Sequence, residues 1–221
     1  VTHFHGYDAS EYQIIKDYNF YKKLFSYSSK IIAVSKVMLV KLIEMGCPKE
    51  IIIYNVYGPK KIFEDIMPNY NKKQLLSVGR FTDKKAPYYT IMAFHKVVKK
   101  YPDIKLLMAG DGALLNMCKN LVNQLCLENY VVFLGVITPN EYMSLLSESL
   151  AFVQHSIVAD NGDMEGTPVS ILEASAAGLP IISTYHAGIP DIIVNGKTGL
   201  LSEEHDVDAM ASNMLQVLDN V

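Results

Sequence analysis

The sequence predicts an α/β protein built mainly on a doubly wound parallel sheet. Two observations carry this expectation. From residue 74 onward, short, almost continuous apolar runs recur: QLLSVGR (74–80), IKLLMAG (104–110), YVVFLG (130–135), LAFVQHS (150–156), LPIISTYH (179–186) and GLLS (199–202). Between them lie helical patterns such as APYYTIMAFHKVVKKYP and ALLNMCKNLVNQLCLE, and DVDAMASNMLQVLDN follows the last run. Strands buried on both faces read as unbroken apolar runs, and parallel pairing requires a crossover helix between them. The helices then return the chain to one sheet edge each time.

Taken in order, the chain opens with a strand-like VTHFHG, a long helical stretch over 9–29, a strand at KIIAVS (30–35), a helix over about 36–45 and a strand at EIIIYNVYG (50–58). These βα units are too few for a core of their own. The segment PKKIFEDIMPNYNKK (59–73) is polar and aperiodic and holds two prolines, so it reads as a linker. Two Rossmann-like units are therefore expected: the end of one over residues 1–68, linker included, and most of a second over 69–221. Because the chain opens without Met on what reads as the interior of a folded unit, a fragment is expected.

Composition narrows the function classes. A 50% hydrophobic, 19% charged chain of 221 residues supports a sizeable core, and a net charge of −3 spread over mixed-sign segments gives no electrostatic case for nucleic acid. Cys47, Cys118 and Cys126 lack CxxC or CxxH spacing, so neither a disulfide framework nor a zinc site is expected, and a reducing cytoplasm is the natural setting. No apolar run approaches the roughly 18–20 residues of a membrane helix, and no signal peptide opens the chain.

Open parallel sheets bind ligands beyond the carboxyl ends of their strands. That rule selects the stretch DMEGTPVSILEA (163–174). Thr167 is a good N-cap and Pro168 a tolerated first-turn residue, so a helix is expected to start near Pro168. Its free N–H groups at about Val169 to Ile171 would form an anion site, with Gly166 allowing close approach of a phosphate. Arg80 and Lys85, after the first strand of the same unit, would supply cations, unless Arg80 pairs with Asp83 and Lys85 is simply solvated. Glu173, one and a half helical turns on, is about one sugar ring from such a phosphate and suits ribose hydroxyls. Glu165 would face the other end of a diphosphate, toward a transferred sugar.

Other features weigh less. Gly110-Asp111-Gly112 lacks the third glycine of a dehydrogenase fingerprint. Asp160 and Asp163 suit either a metal or local turns, with turns favoured. His155 and His186 are either site-facing or ordinary strand-end histidines. No GxSxG or HExxH pattern is present.

Together, SVGRFTDKKAP, MAGDG, VVFLGVITPNEY, EGTPVSILEASAAGLPIIST with its E-x7-E spacing, and GIPDIIVNGKTGLLSEEHD resemble the family 4 retaining glycosyltransferases of GT-B architecture. THFHGYD and SIVADNGDMEGTP are similar to segments of exopolysaccharide-building members of the colanic-acid and amylovoran type. The resemblance spans essentially the whole chain. It implies a donor diphosphate bound by Arg80 and Lys85, ribose held by Glu173, and donor-sugar hydroxyls near Glu165. The turn Gly166, Thr167, Pro168 and Val169 reaches phosphate and sugar, Gly110 belongs to the donor site, and Val136 borders the base. His5 is set against the transferred sugar from the first domain. The implied donor is a UDP- or GDP-type nucleoside diphosphate sugar, with no cofactor or metal. A glycan or lipid-linked acceptor, and peripheral contact with the inner face of a membrane through a part outside this chain, follow from the same resemblance. Ala86 stands where the family usually has glycine, and NVYGPKKIF departs from the usual NGVD…F segment. A nucleotide-sugar binding fragment without activity and a nicotinamide oxidoreductase are the alternative readings.

Overall fold

The computed structural model describes residues 1–220. Strands β1 (Thr2–Phe4), β2 (Ile31–Ala33) and β3 (Ile52–Tyr54) form a three-stranded parallel sheet in that order. The second sheet has six parallel strands: β4 (Gln74–Val78), β5 (Lys105–Ala109), β6 (Val131–Gly135), β7 (Ala151–Val153), β8 (Ile181–Thr184) and β9 (Gly199–Ser202). Their order, β6-β5-β4-β7-β8-β9, is doubly wound, and it reverses direction between β4 and β7. At such a switch point neighbouring loops diverge and leave a crevice at the strand ends. Among the described residues no helix is long and apolar enough to cross a membrane.

Helices α1 (Tyr7–Ser10), α2 (Tyr12–Asp17), α3 (Lys22–Tyr27) and α4 (Lys36–Glu44) accompany the small sheet. On the large one lie α5 (Pro87–Val98), α6 (Leu115–Gln124), α7 (Pro139–Glu148), α8 (Val169–Ala176), α9 (Ile189–Ile192) and α10 (Val207–Leu218). Period-two alternation divides the strand residues between two cores. Leu75, Leu106, Met108, Val153 and Ile182 pack with residues of α5, α6 and α10. Their neighbours Leu76, Leu107, Phe152 and Ile181 pack with residues of α7, α8 and α9. Every one of these nine side chains is at most 9% exposed.

The helix expected over 9–29 is broken twice. Glu11 is extended (φ −70°, ψ 122°), and Asn19, Phe20 and Tyr21 take left-handed φ values of 48°, 54° and 57°. Left-handed backbone costs about 1–2 kcal/mol per non-glycine residue. Tertiary packing offsets it: the break swings the Tyr21 ring edge-on against Phe4, at 5.0 Å between centroids, and its hydroxyl donates to the Asp8 carbonyl at 2.6 Å. The helical periodicity is present in the sequence, but burial under β1 overrides it. The expected linker contains a single 3-10 turn, Lys61–Phe63, whose buried Phe63 rests against Tyr142 of α7.

The two sheets meet through loop backbones. Thr167 Oγ1 donates to the Val34 carbonyl at 2.6 Å, Met164 N–H donates to Ser10 Oγ at 3.1 Å, and Tyr12 N–H donates to the Asn161 carbonyl at 3.0 Å. Asp191 of α9 accepts the Lys36 N–H at the start of α4, at 2.8 Å. Gly166 lies so close to the first sheet that a Cβ there would stand 2.1 Å from the His5 carbonyl oxygen and 2.8 Å from Val34 Cγ2. Gly166→Ala should therefore destabilise the chain by about 1–3 kcal/mol, the range for overpacking. Gly58→Ala, at a position with nothing within 4 Å, should stay within about 0.5 kcal/mol of the parent in urea unfolding.

Candidate functional site

The site is built at the β4/β7 switch point. β4 delivers Gly79 and Arg80, a 3-10 turn (Asp83–Lys85) delivers Lys84 and Lys85, β7 runs into Gln154, and the long loop after it ends on Glu165 and α8. A narrow recess lined by Val78, Gly79, Arg80, Lys85, Ala109 and Gln154 opens at the strand ends. The stem of Lys85 crosses Gly79, 3.4 Å from where a Cβ would be, so glycine gives the lysine room to reach inward.

Lys85 and Glu165 form a largely buried ion pair, with side chains 16% and 9% exposed and 3.1 Å from Nζ to Oε1. Lys85 also donates to Gln154 Oε1 at 3.2 Å, and Gln154 in turn is held by Ser170 Oγ at 3.2 Å and Ser156 Oγ at 2.8 Å. The lysine approaches Glu165 Oε1 outside hydrogen-bonding directions, leaving that buried oxygen without a hydrogen bond among the described residues. Burial alone would push the Glu165 carboxyl up. Lys85, then Lys84, outweighs it and holds the group below the ordinary value. Lys84, its neighbour in the same turn, is buried and bound to Asp163 at 2.9 Å.

Arg80 is exposed and makes no side-chain hydrogen bond or ion pair among the described residues, so the pairing with Asp83 does not form. Thr167 is not the N-cap of α8. The helix begins at Val169 with Pro168 as an extended N-cap (ψ 115°) and no side-chain cap, because the Thr167 hydroxyl is engaged with Val34 of the other sheet. The Ile171 and Leu172 N–H groups both donate to the Pro168 carbonyl, which narrows the free donors to Val169 and Ser170. Two open N–H groups and the positive end of the helix dipole thus lie one hydrogen-bonded residue, Gln154, away from Lys85.

Glu173 lines a separate cavity of about 470 Å³ with Lys60, Val78, Ile137, Thr138 and Tyr142. Burial raises its carboxyl above the ordinary value, and Lys60 of the 59–73 segment opposes that shift. Val136 is 81% exposed, and Ile137 lines the cavity. Gly110 has a packing role: at φ +131° its Cβ would stand 2.0 Å from the Gly79 carbonyl, and its N–H donates to Gly135 at 2.7 Å, knitting the ends of β4, β5 and β6. His5 is exposed, stacks on Tyr57 at 5.4 Å, and its carbonyl lies against Gly166. Ala86 is left-handed at φ +36°, the physical reason glycine suits that position.

The remaining candidates separate. Asp163 pairs with Lys84 while its N–H closes a turn onto Asn161 Oδ1, and among the described residues no group of three ligands is arranged for a metal ion. His155 is buried beside Met210 of α10, away from α8, and burial pushes its pKa down to about 4. His186 is fully buried and bonded to the Glu165 backbone.

A doubly wound parallel sheet with an unpaired cation and open N–H donors at its switch point is a fold of the GT-B class. Residues 59–221 match the family described as "Glycosyl transferases group 1", and the chain belongs to that family. It is 33% identical over 221 residues to the amylovoran biosynthesis glycosyltransferase AmsK of Erwinia amylovora, covering 98% of this chain and 54% of that protein. WcaL of Salmonella typhimurium, named for colanic acid biosynthesis, is 30% identical over 220 residues with coverages of 98% and 54%. The chain thus spans about half the length of these relatives. A single-residue mutant of S. aureus TarM, solved with fondaparinux, alpha-GlcNAc-glycerol and UDP, superposes with a TM-score of 0.84 at 19% identity, over 99% of this chain and 43% of that one. Anabaena HepE, solved with UDP and glucose, gives 0.78 at 18% identity over 93% and 56%.

The buried ion pair makes a stability prediction. The Glu165 carboxyl is lowered in the fold, so its contribution is present above the unfolded value of 4.5 and is lost as pH falls through the folded one. Lys85→Met should cost about 3 kcal/mol at pH 7, the cost of leaving one buried charge unpaired. It should also weaken the acid-side loss, and adding Glu165→Gln should restore most of the stability. Urea unfolding at pH 7 and pH 4 checks all three.

Proposed function

We propose that the chain is the donor-binding part, with the adjoining edge of the acceptor-side domain, of an enzyme that transfers a sugar from a UDP- or GDP-type nucleoside diphosphate sugar to a hydroxyl, with retention at the anomeric carbon. One observation carries the reading: Arg80 with its charge unpaired and Lys85 line one crevice, and the uncapped first turn of α8 is tied to Lys85 through Ser170 and Gln154, an arrangement suited to a diphosphate. The neighbours solved with UDP, or with UDP and glucose, support the donor class. Family membership sets the nicotinamide reading aside.

In this reading the donor diphosphate competes with Glu165 for Lys85. Lys85 turns its charge to the phosphates, joined by Arg80 and the Val169 and Ser170 N–H groups, and neutralises the leaving group as the glycosidic bond breaks. Glu165 Oε1, lacking a hydrogen bond, accepts one from a donor-sugar hydroxyl. Glu173 accepts from ribose hydroxyls in the second cavity. The departing phosphate oxygen takes the acceptor proton on the same face, so the nucleophile enters where the leaving group left. The cations supply the charge neutralisation that a metal provides elsewhere, so no metal or cofactor is required. His5 meets the sugar from the first domain. Polysaccharide assembly fits the names of the relatives; in this reading the acceptor is a glycan or a lipid-linked one, met at the cytoplasmic face of a membrane.

Arg80→Ala in the full-length protein should weaken donor binding about 10–100-fold, corresponding to one charge-assisted hydrogen-bond pair at roughly 1.5–3 kcal/mol. Stability should be unchanged, because Arg80 has no partner to lose among the described residues. Calorimetric titration with UDP- and GDP-sugars, paired with a turnover assay, measures this, and unaltered affinity and turnover would overturn the reading. Binding should also fall as pH drops, beginning above the ordinary glutamate range, because Glu173 carries a raised pKa and loses an acceptor on protonation. Glu173→Gln should remove that component of the pH profile.

A further inference from the structure

The loop that delivers Glu165 is held at both ends by one pair outside the crevice, a buried histidine and a half-buried glutamate. His186, fully buried just after β8, accepts the Glu165 N–H at Nε2, 3.0 Å away. A backbone N–H only donates, so Nε2 carries the lone pair and the ring proton resides on Nδ1. Nδ1 lies 2.6 Å from Glu204 Oε1, in the segment between β9 and α10. The other oxygen of Glu204 accepts the Val158 N–H at 2.9 Å, at the opposite end of the same loop. Between these anchors the loop closes on itself: Ala159 N–H donates to the Asp163 carbonyl and Gly162 N–H to the Ala159 carbonyl, at 2.9 and 2.8 Å. Two residues past His186, Gly188 comes so near that a Cβ would stand 2.1 Å from the Gly166 carbonyl oxygen. The backbone on either side of the Glu165 side chain is thereby fixed from the β8 end.

We propose that His186 and Glu204 are positioning residues for the Glu165 carboxylate: an Nδ1-protonated, neutral His186, oriented by Glu204, fixes the backbone from which Glu165 meets Lys85 and the donor sugar. This rests on the reading of Glu165 as the group facing that sugar. Neither residue touches the substrate, so each acts on turnover through Glu165, while nucleoside diphosphate binding depends on Arg80, Lys85 and α8.

Two side chains split the roles of the ring. Asn at 186 keeps an amide donor near the Nδ1 position for Glu204 but leaves the Glu165 N–H without an acceptor, whereas Gln puts an amide oxygen near the Nε2 position. In the full-length protein, His186→Asn should lower kcat about 10–100-fold while the Kd for UDP or GDP stays within about threefold. His186→Gln should recover most of the lost kcat. Independently of activity, ¹⁵N spectra of the histidine rings at about pH 7.5 should show His186 as the Nδ1–H tautomer, with Glu204→Gln perturbing that signal. An Nε2–H tautomer, undiminished kcat in His186→Asn, or no recovery in His186→Gln would each overturn the assignment. If the parent protein bound no nucleoside diphosphate sugar, the functional reading would fall, while the tautomer measurement would still decide whether the clamp exists.

Discussion

Three stretches of backbone meet at Gly166 without room for a side chain, and the rest of the structure depends on that meeting. The His5 carbonyl presses on it from the first sheet, and Gly188, from the loop after β8, presses on its carbonyl oxygen. The Thr167 hydroxyl reaches Val34 from the adjoining residue. The turn that opens α8 is thus a junction between the sheets. Anything that shifts the first sheet relative to the second acts on the same backbone that directs Glu165 and frees the first N–H groups of α8. The coupling is made by close packing, which has no soft intermediate positions.

Electrostatics follow from that junction. Packing the turn into the interface buries Glu165, and a buried carboxylate requires a counter-charge. Lys85 supplies it from a 3-10 turn whose next residue, Ala86, is left-handed, so the lysine is delivered by a strained backbone. The pairing keeps the cation largely desolvated and pointed inward. Gln154, bridging Lys85 and Ser170, extends the same hydrogen-bonded system into α8.

How much of this is legible in the sequence depends on whether the signal is local. The strands of the large sheet are readable because parallel strands covered on both faces must be apolar throughout, and their ends then pick out the segments that hold Arg80, Lys85 and Glu165, while Glu173 follows from its spacing along α8. Thr167 misleads because an N-cap rule describes a helix in isolation, and the Val34 carbonyl, 133 positions away, competes for its hydroxyl. The break at 19–21 is hidden for the same reason, Tyr21 being drawn under Phe4. Gln154 and Lys84 carry no motif, and their roles arise only where β7 and the Asp83–Lys85 turn converge. Gly110 reads as part of an incomplete dinucleotide-type turn, and the contact that demands glycine there is with Gly79.

The histidines show where sequence reasoning ends. His155 and His186 both follow strands of the large sheet at a distance of two residues, and composition treats them alike. One is directed against Met210 and α10, the other to the backbone of Glu165. Their difference lies in which partner each ring nitrogen finds: His155 Nε2 accepts from the His205 N–H, tying the α10 side of the sheet together. His186 Nε2 performs the same act on the α8 side, where the residue it holds carries the carboxylate of the crevice. Identical chemistry ties the α10 side of the sheet in one place and the backbone of the Lys85-paired Glu165 in the other, and only the fold distinguishes them.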